Sequence, residues 1–137
     1  MRTHLEFRSD AFPACPGEEE EINPGRYGKR LAEYLDAGLP GLGFPTTGIW
    51  AEDWGWGVGI KHDAFPLWIG VGNYEEYDDG FLCFIEPSKP VISRWFKRIP
   101  TADTVERLAD ALEKLIRNSD GVRNVRWWDE NEAGRGR

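Results

Sequence analysis

Trp54-Gly55-Trp56-Gly57-Val58-Gly59-Ile60 alternates large apolar residues with glycine, a period of two that belongs to a β-strand and not to a helix. Read as one strand, it carries Trp54, Trp56, Val58 and Ile60 on one face and no side chain on the other. Glycine weakens a strand interior and marks a bulge, a bend, or a close approach by another backbone or a ligand, so three at alternate positions require a cause. Leu67-Trp68-Ile69-Gly70-Val71-Gly72-Asn73 shows a related alternation. A hairpin between the two sets Ile60 against Leu67, Val58 against Ile69, Trp56 against Val71, Gly57 against Gly70 and Gly55 against Gly72. That register separates an apolar face from a glycine-floored one, and a slip of one residue would mix them.

Around this hairpin the chain offers the material of one ordinary core. It has 137 residues, 40% of them apolar and 13% aromatic, which suits a single α+β domain over residues 1–130 with a polar tail at 131–137. Its 24 acids against 17 bases give a formal charge of -7, which argues against general binding of nucleic acid or of an anionic membrane and is compatible with a basic protein partner. The two cysteines, Cys15 and Cys83, form neither a disulfide framework nor a metal-ligand spacing. The chain has no run of 18 apolar residues and its first residues lack the apolar core of a signal peptide, so a soluble cytoplasmic protein is expected.

Thr3 to Phe7 alternates as a first strand. Ala11 to Glu21 reads as a loop in which Glu18, Glu19, Glu20 and Glu21 repel one another into solvent. Asn23-Pro24 looks like a helix start, with the glutamates just upstream suiting the positive end of the helix dipole and Gly38 as the stop. Leu39 to Gly48 reads as an irregular connection. Phe81 to Ile85 is a strand apolar on both sides, and Val91 to Ile99 has helical spacing. A longer helix is expected from about Asp103 to Asn118, with Asp103 and Glu106 as a capping-box-like pair, followed by a last strand over 122–129. Two amphipathic helices can cover one face of a sheet. The predicted fold is therefore a two-layer α+β sandwich: a mostly antiparallel sheet with a central three-strand meander, and two main helices on one face.

No constellation carries catalytic, cofactor or metal chemistry. His4 and His62 are far apart in sequence, and Cys83 between Leu82 and Phe84 reads as a buried, inert thiol. Glu52 and Asp53 stand at the edge of the glycine-floored face, but neighbours on a strand point to opposite sides and so do not form a dyad. Asp53, Trp68 and Tyr74 surround the same face, and Trp54, next to Asp53, is counted with them as a candidate binding residue. Glu75, Glu76, Tyr77, Asp78 and Asp79 follow as an acidic, tyrosine-bearing loop. Tyrosine supplies rigid contact area and carboxylates steer a basic partner, which is how protein-recognition surfaces are built; a solvated hairpin loop has the same composition. The basic residues between Lys89 and Arg98 are expected to neutralise the protein's own acids.

The block Glu52-Asp53-Trp54-Gly55-Trp56, with the following hairpin and Phe81-Leu82-Cys83-Phe84-Ile85-Glu86, resembles small uncharacterised bacterial α+β proteins. In style it is similar to immunity proteins of bacterial toxin systems. The resemblance implies a non-enzymatic, protein-binding inhibitor and carries no catalytic residue. The alternative from the residues themselves is a small-molecule-binding domain or enzyme using the glycine-floored face, and that face could also serve as a homodimer interface.

Overall fold

The computed structural model describes residues 1–74 and 76–129; the expected polar tail lies outside the described residues. In chain order the elements are β1 (His4–Arg8), α1 (Glu18–Glu21), α2 (Lys29–Gly38), β2 (Thr46–Glu52), β3 (Gly55–Ile60), β4 (Leu67–Tyr74), β5 (Gly80–Glu86), β6 (Val91–Arg94), β7 (Lys97–Pro100), α3 (Ala102–Arg117) and β8 (Arg123–Trp128). Six strands form one sheet in the order β2-β3-β4-β5-β1-β8, with every ladder antiparallel, and β6 and β7 pair separately. Helices α2 and α3 lie on one face. Leu31, Leu35, Leu108, Leu112 and Ile116 pack there with Leu5, Phe7, Trp56, Val58, Ile69 and Val71, all buried. This is the expected two-layer α+β arrangement, and no helix among the described residues is long and apolar enough to cross a membrane.

The β3–β4 hairpin has the register read from the alternation: Trp56 opposes Val71, Gly57 opposes Gly70, Val58 opposes Ile69 and Ile60 opposes Leu67. The meander is one strand wider than expected. Thr46 to Glu52, in part assigned to an irregular connection, forms edge strand β2 on β3. Its β-branched and aromatic residues favour a strand, while Gly48, at φ 119°, sits where the ladder shifts register between Thr46 and Gly48 and hides the period. Both edges of the sheet are interrupted in this way, since the β1–β8 ladder also shifts between Glu6 and Arg8.

Val91 to Ile99 is a hairpin and not a helix. Ile92 faces Ile99 and Arg94 faces Lys97 across a two-residue turn at Trp95 and Phe96. Apolar residues at 91, 92, 95, 96 and 99 fit either a helix face or this fold-back, and the prolines at 90 and 100 favour the latter. Thr101 closes the base, its N–H donating to the Pro90 carbonyl at 2.8 Å. The capping-box pair does not form either: α3 starts after Thr101 without a side-chain cap. Glu106 instead accepts from the Arg2 backbone N–H at 2.7 Å and from Arg2 Nε at 2.9 Å.

The glutamate run is not wholly solvated. Glu18 is 1% exposed. Its Oε1 accepts from Cys15 N at 2.8 Å, and its Oε2 accepts from Gly28 N at 2.6 Å, Lys29 N at 2.7 Å and the Trp56 indole N–H at 2.9 Å. Helix α2 has no acid in its first turn and no cap from its own N-terminal residue, so Glu18 supplies both the missing acceptors and the negative charge its positive end favours. The helix therefore begins at Lys29 and not at Asn23-Pro24. The segment between is a loop whose Tyr27 carbonyl accepts the Asn73 N–H at 2.8 Å, and whose Asn23 side chain donates to the Asp53 carbonyl at 2.9 Å.

Two stability predictions follow from these contacts. Glu18→Gln keeps the shape but offers a donor where an acceptor is needed, and should cost about 1 to 3 kcal/mol in urea unfolding, with Glu18→Ala costing more; an unchanged midpoint would show that the four N–H groups find other acceptors. Glu113 accepts from the Trp127 indole N–H and from Arg117 Nε at 3.1 Å, which holds its carboxyl below the ordinary carboxylate range. A lowered folded-state value adds stability above the unfolded value that is lost as pH falls through the folded one. Unfolding midpoints measured on the acid side of the ordinary carboxylate range should therefore drop less steeply for Glu113→Gln than for the wild type.

Candidate binding face

The helices leave the other face of the sheet open, and its cross-strand rows define what that face presents. One row runs Trp50–Gly57–Gly70–Phe84–His4–Trp128 across all six strands. Two glycines in the middle of a row leave space that the flanking rings fill by lying down over them. A Cβ at Gly57 would land in the Trp50 ring, and one at Gly70 in the Phe84 ring. In the next row Gly59 lies beneath Thr47 and Trp50, next to Trp68. The face is therefore not bare: it carries an aromatic layer built on a glycine floor, an arrangement in which aromatic side chains compensate for glycine in a strand.

Within the layer the ring centroids of Trp50 and Trp68 are 5.6 Å apart, Trp68 and Phe84 5.5 Å, Trp54 and Phe84 5.1 Å, and His4 and Phe84 5.9 Å. Trp54 thus lies opposite to where the alternation placed it. It belongs to the turn between β2 and β3, ahead of the strand proper, so the period of β3 does not govern it. Trp56 does go to the core.

In the third row the floor is open. Gly72 pairs with Leu82, and over it lies a hollow of about 690 Å³ lined by Trp54, Phe84, Leu82, Tyr74, Glu76 and Arg26. Gly72 is held tightly from the β3 side, since a Cβ there would meet the Trp54 carbonyl at 2.9 Å, and a Cβ at Gly55 would strike the Val71 carbonyl. Where β3 ends, the Tyr27 loop continues as the partner of β4. Tyr27 N–H donates to the Asn73 side chain at 3.1 Å, which in turn donates to the Gly25 carbonyl at 2.9 Å. These bonds set the loop that brings Arg26 to the rim.

Of the residues picked out from sequence, Trp54, Tyr74 and Glu76 line this hollow, and Trp68 belongs to the layer beside it. Glu52 and Asp53 are exposed beside Trp54; Glu52 accepts from the Trp50 indole N–H at 3.0 Å. Glu75 lies outside the described residues. The rest of the acidic loop is partly structural. Asp79 pairs with Arg8 at 2.8 Å and with Arg123, the Asp78 carbonyl accepts the Tyr27 hydroxyl at 2.8 Å, and exposed Tyr77 has the Arg8 guanidinium 4.5 Å above its ring. Burial, with the nearby Asp78 and Glu18 charges, pushes the Tyr27 phenol up. Trp50, Leu82, Phe84 and Arg26 are site residues that the sequence reading missed. Phe84 was findable, because extending the β4 register to β5 puts it opposite Gly70. Cys83 is buried, and burial pushes its thiol well up; among the described residues no group of His, Cys, Asp and Glu could hold a metal.

No protein-family model, curated protein or solved structure matches the chain.

The glycine floor makes a signed prediction. Gly57→Ala should destabilise the protein by about 1 to 3 kcal/mol, because the new methyl evicts the Trp50 ring. In a Trp50→Ala background the same change should be neutral or stabilising, since alanine restricts the unfolded chain more than glycine does. Equal effects in both backgrounds, read from denaturation midpoints, would place the cause elsewhere.

Proposed function

We propose that this chain is a non-enzymatic protein-binding module, in the manner of an immunity-like inhibitor, and that its partner docks on the open aromatic face with a basic or apolar side chain in the hollow. The observation that carries this reading is the hollow itself, an aromatic recess over Gly72 on the one sheet face the helices leave uncovered. Three rings, Trp54, Tyr74 and Phe84, line it, as aromatic side chains do in sites that hold a lysine or arginine, and Glu76 sets a carboxylate against the Arg26 guanidinium on the rim. Exposed Glu52 at the end of β2, with Asp53 and Asp78 on the adjoining turns, would steer a basic partner towards it.

The experiment is capture of partners from the native host, followed by titration calorimetry with the captured protein. Trp54→Ala should weaken binding by roughly thirtyfold or more, the effect of a 2 kcal/mol hot-spot aromatic, while Arg107→Ala on α3 should leave it unchanged. Absence of any partner at micromolar concentration, or a partner indifferent to Trp54, overturns the reading. The volume of the hollow also falls in the range of small-molecule sites, about 300 to 1,000 Å³. That second reading requires a compound that quenches tryptophan fluorescence saturably in the wild type and not in Trp54→Ala.

A further inference from the structure

The β6–β7 hairpin stands apart from the candidate face. Arg94 donates to the carbonyl of Ala64, in the loop before β4, at 3.4 Å, whereas the hollow lies at Gly72 to Tyr74 on the far end of that strand. At the hairpin's apex Trp95 is 82% and Phe96 108% exposed, the most exposed large apolar residues among those described. Both have positive φ, 52° and 65°. A two-residue turn of this kind favours Asn-Gly, and bulky aromatic residues adopt it against their own backbone preference. The apex residues are therefore the wrong ones for the fold, and they bury nothing in it. Backbone strain of this kind clusters at functional sites.

The charge around the apex is also inverted relative to the chain. Residues 87–101 contain Lys89, Arg94, Lys97 and Arg98 and no acid, in a protein with 24 acids and 17 bases. Lys89, Lys97 and Arg98 pair with no carboxylate among the described residues, so the expected neutralisation of the protein's own acids is not made by ion pairs there. The base is tied down through Ile92 and Ile99 against the core and through Thr101, and Arg94 reaches the Ala64 carbonyl, while Trp95 and Phe96 project beyond these contacts.

We propose that this hairpin is a membrane-contact element, in which Trp95 and Phe96 enter the headgroup region of an anionic bilayer and Arg94, Lys97 and Arg98 meet lipid phosphates. Tryptophan settles at the interface between headgroup and hydrocarbon, and basic side chains beside it add attraction to anionic lipid. A convex apex suits a bilayer better than a single-stranded nucleic acid, which is bound along a basic groove with ring platforms spaced beside it. Contact is through a small apex alone, so binding should be weak and reversible.

The test is co-sedimentation of the full chain with phosphatidylserine-containing phosphatidylcholine vesicles and with pure phosphatidylcholine vesicles. The wild type should bind the first far better than the second. Lys97→Ala and Arg98→Ala should each weaken binding roughly fivefold. Trp95→Asn with Phe96→Gly, which suits the turn, should abolish binding without lowering the thermal midpoint. No binding by the wild type, binding unchanged in the double variant, or a lower midpoint for that variant overturns the proposal. So would selective, variant-sensitive binding of an oligothymidylate in place of vesicles.

Discussion

A buried carboxylate that makes four hydrogen bonds holds the two layers in their relation. Glu18 joins the start of α2 to the indole of Trp56 on β3, so one side chain links the helix layer, the sheet and the loop that precedes it. An ion out of water is tolerable only when its lone pairs are satisfied, and here every donor is itself fixed by backbone or core packing. The consequence reaches the candidate face. Because α2 is pinned at Lys29, the loop before it must continue the ladder of β4 through Tyr27 and Asn73, and that loop carries one wall of the hollow.

The hairpin at the centre of the sheet was readable because its signal is local: period-two alternation over two adjacent strands fixes both register and face. The cover of its glycines was not readable from the same residues. Trp50 and Phe84 come from the strands on either side, and a strand's own alternation is silent about what its neighbours lay across it. The same limit explains Trp54, whose position is set by a turn. Glu18 looked like one member of a repelling run because its donors are distant in sequence or belong to the backbone. Val91 to Ile99 failed for another reason: five apolar positions satisfied two periods at once, and the prolines at its ends were the better guide.

The molecule thus shows two surfaces of different character. One is a wide aromatic sheet face with a recess, set among acids. The other is a narrow basic projection ending in two rings. Each breaks a rule that the rest of the chain obeys, the first by putting tryptophans on the outer side of a sheet and the second by putting aromatics in a turn built for asparagine and glycine. Departures of this kind in an otherwise self-consistent sequence are where a requirement other than folding has acted.

The register shifts in β2 and β8 bear on how the protein behaves at high concentration. A sheet of antiparallel strands presents at each side a row of unpaired N–H and C=O groups that another chain could extend, and irregular edge strands resist such addition. Here the irregularity falls on both outer ladders, with Gly48 at φ 119° on one side and Asn124 at φ 57° on the other. Neither edge offers a straight template to an incoming strand. Growth into fibrils by edge addition is thereby disfavoured, so a face rich in half-buried rings can be displayed without the sheet beneath it becoming a seed for aggregation.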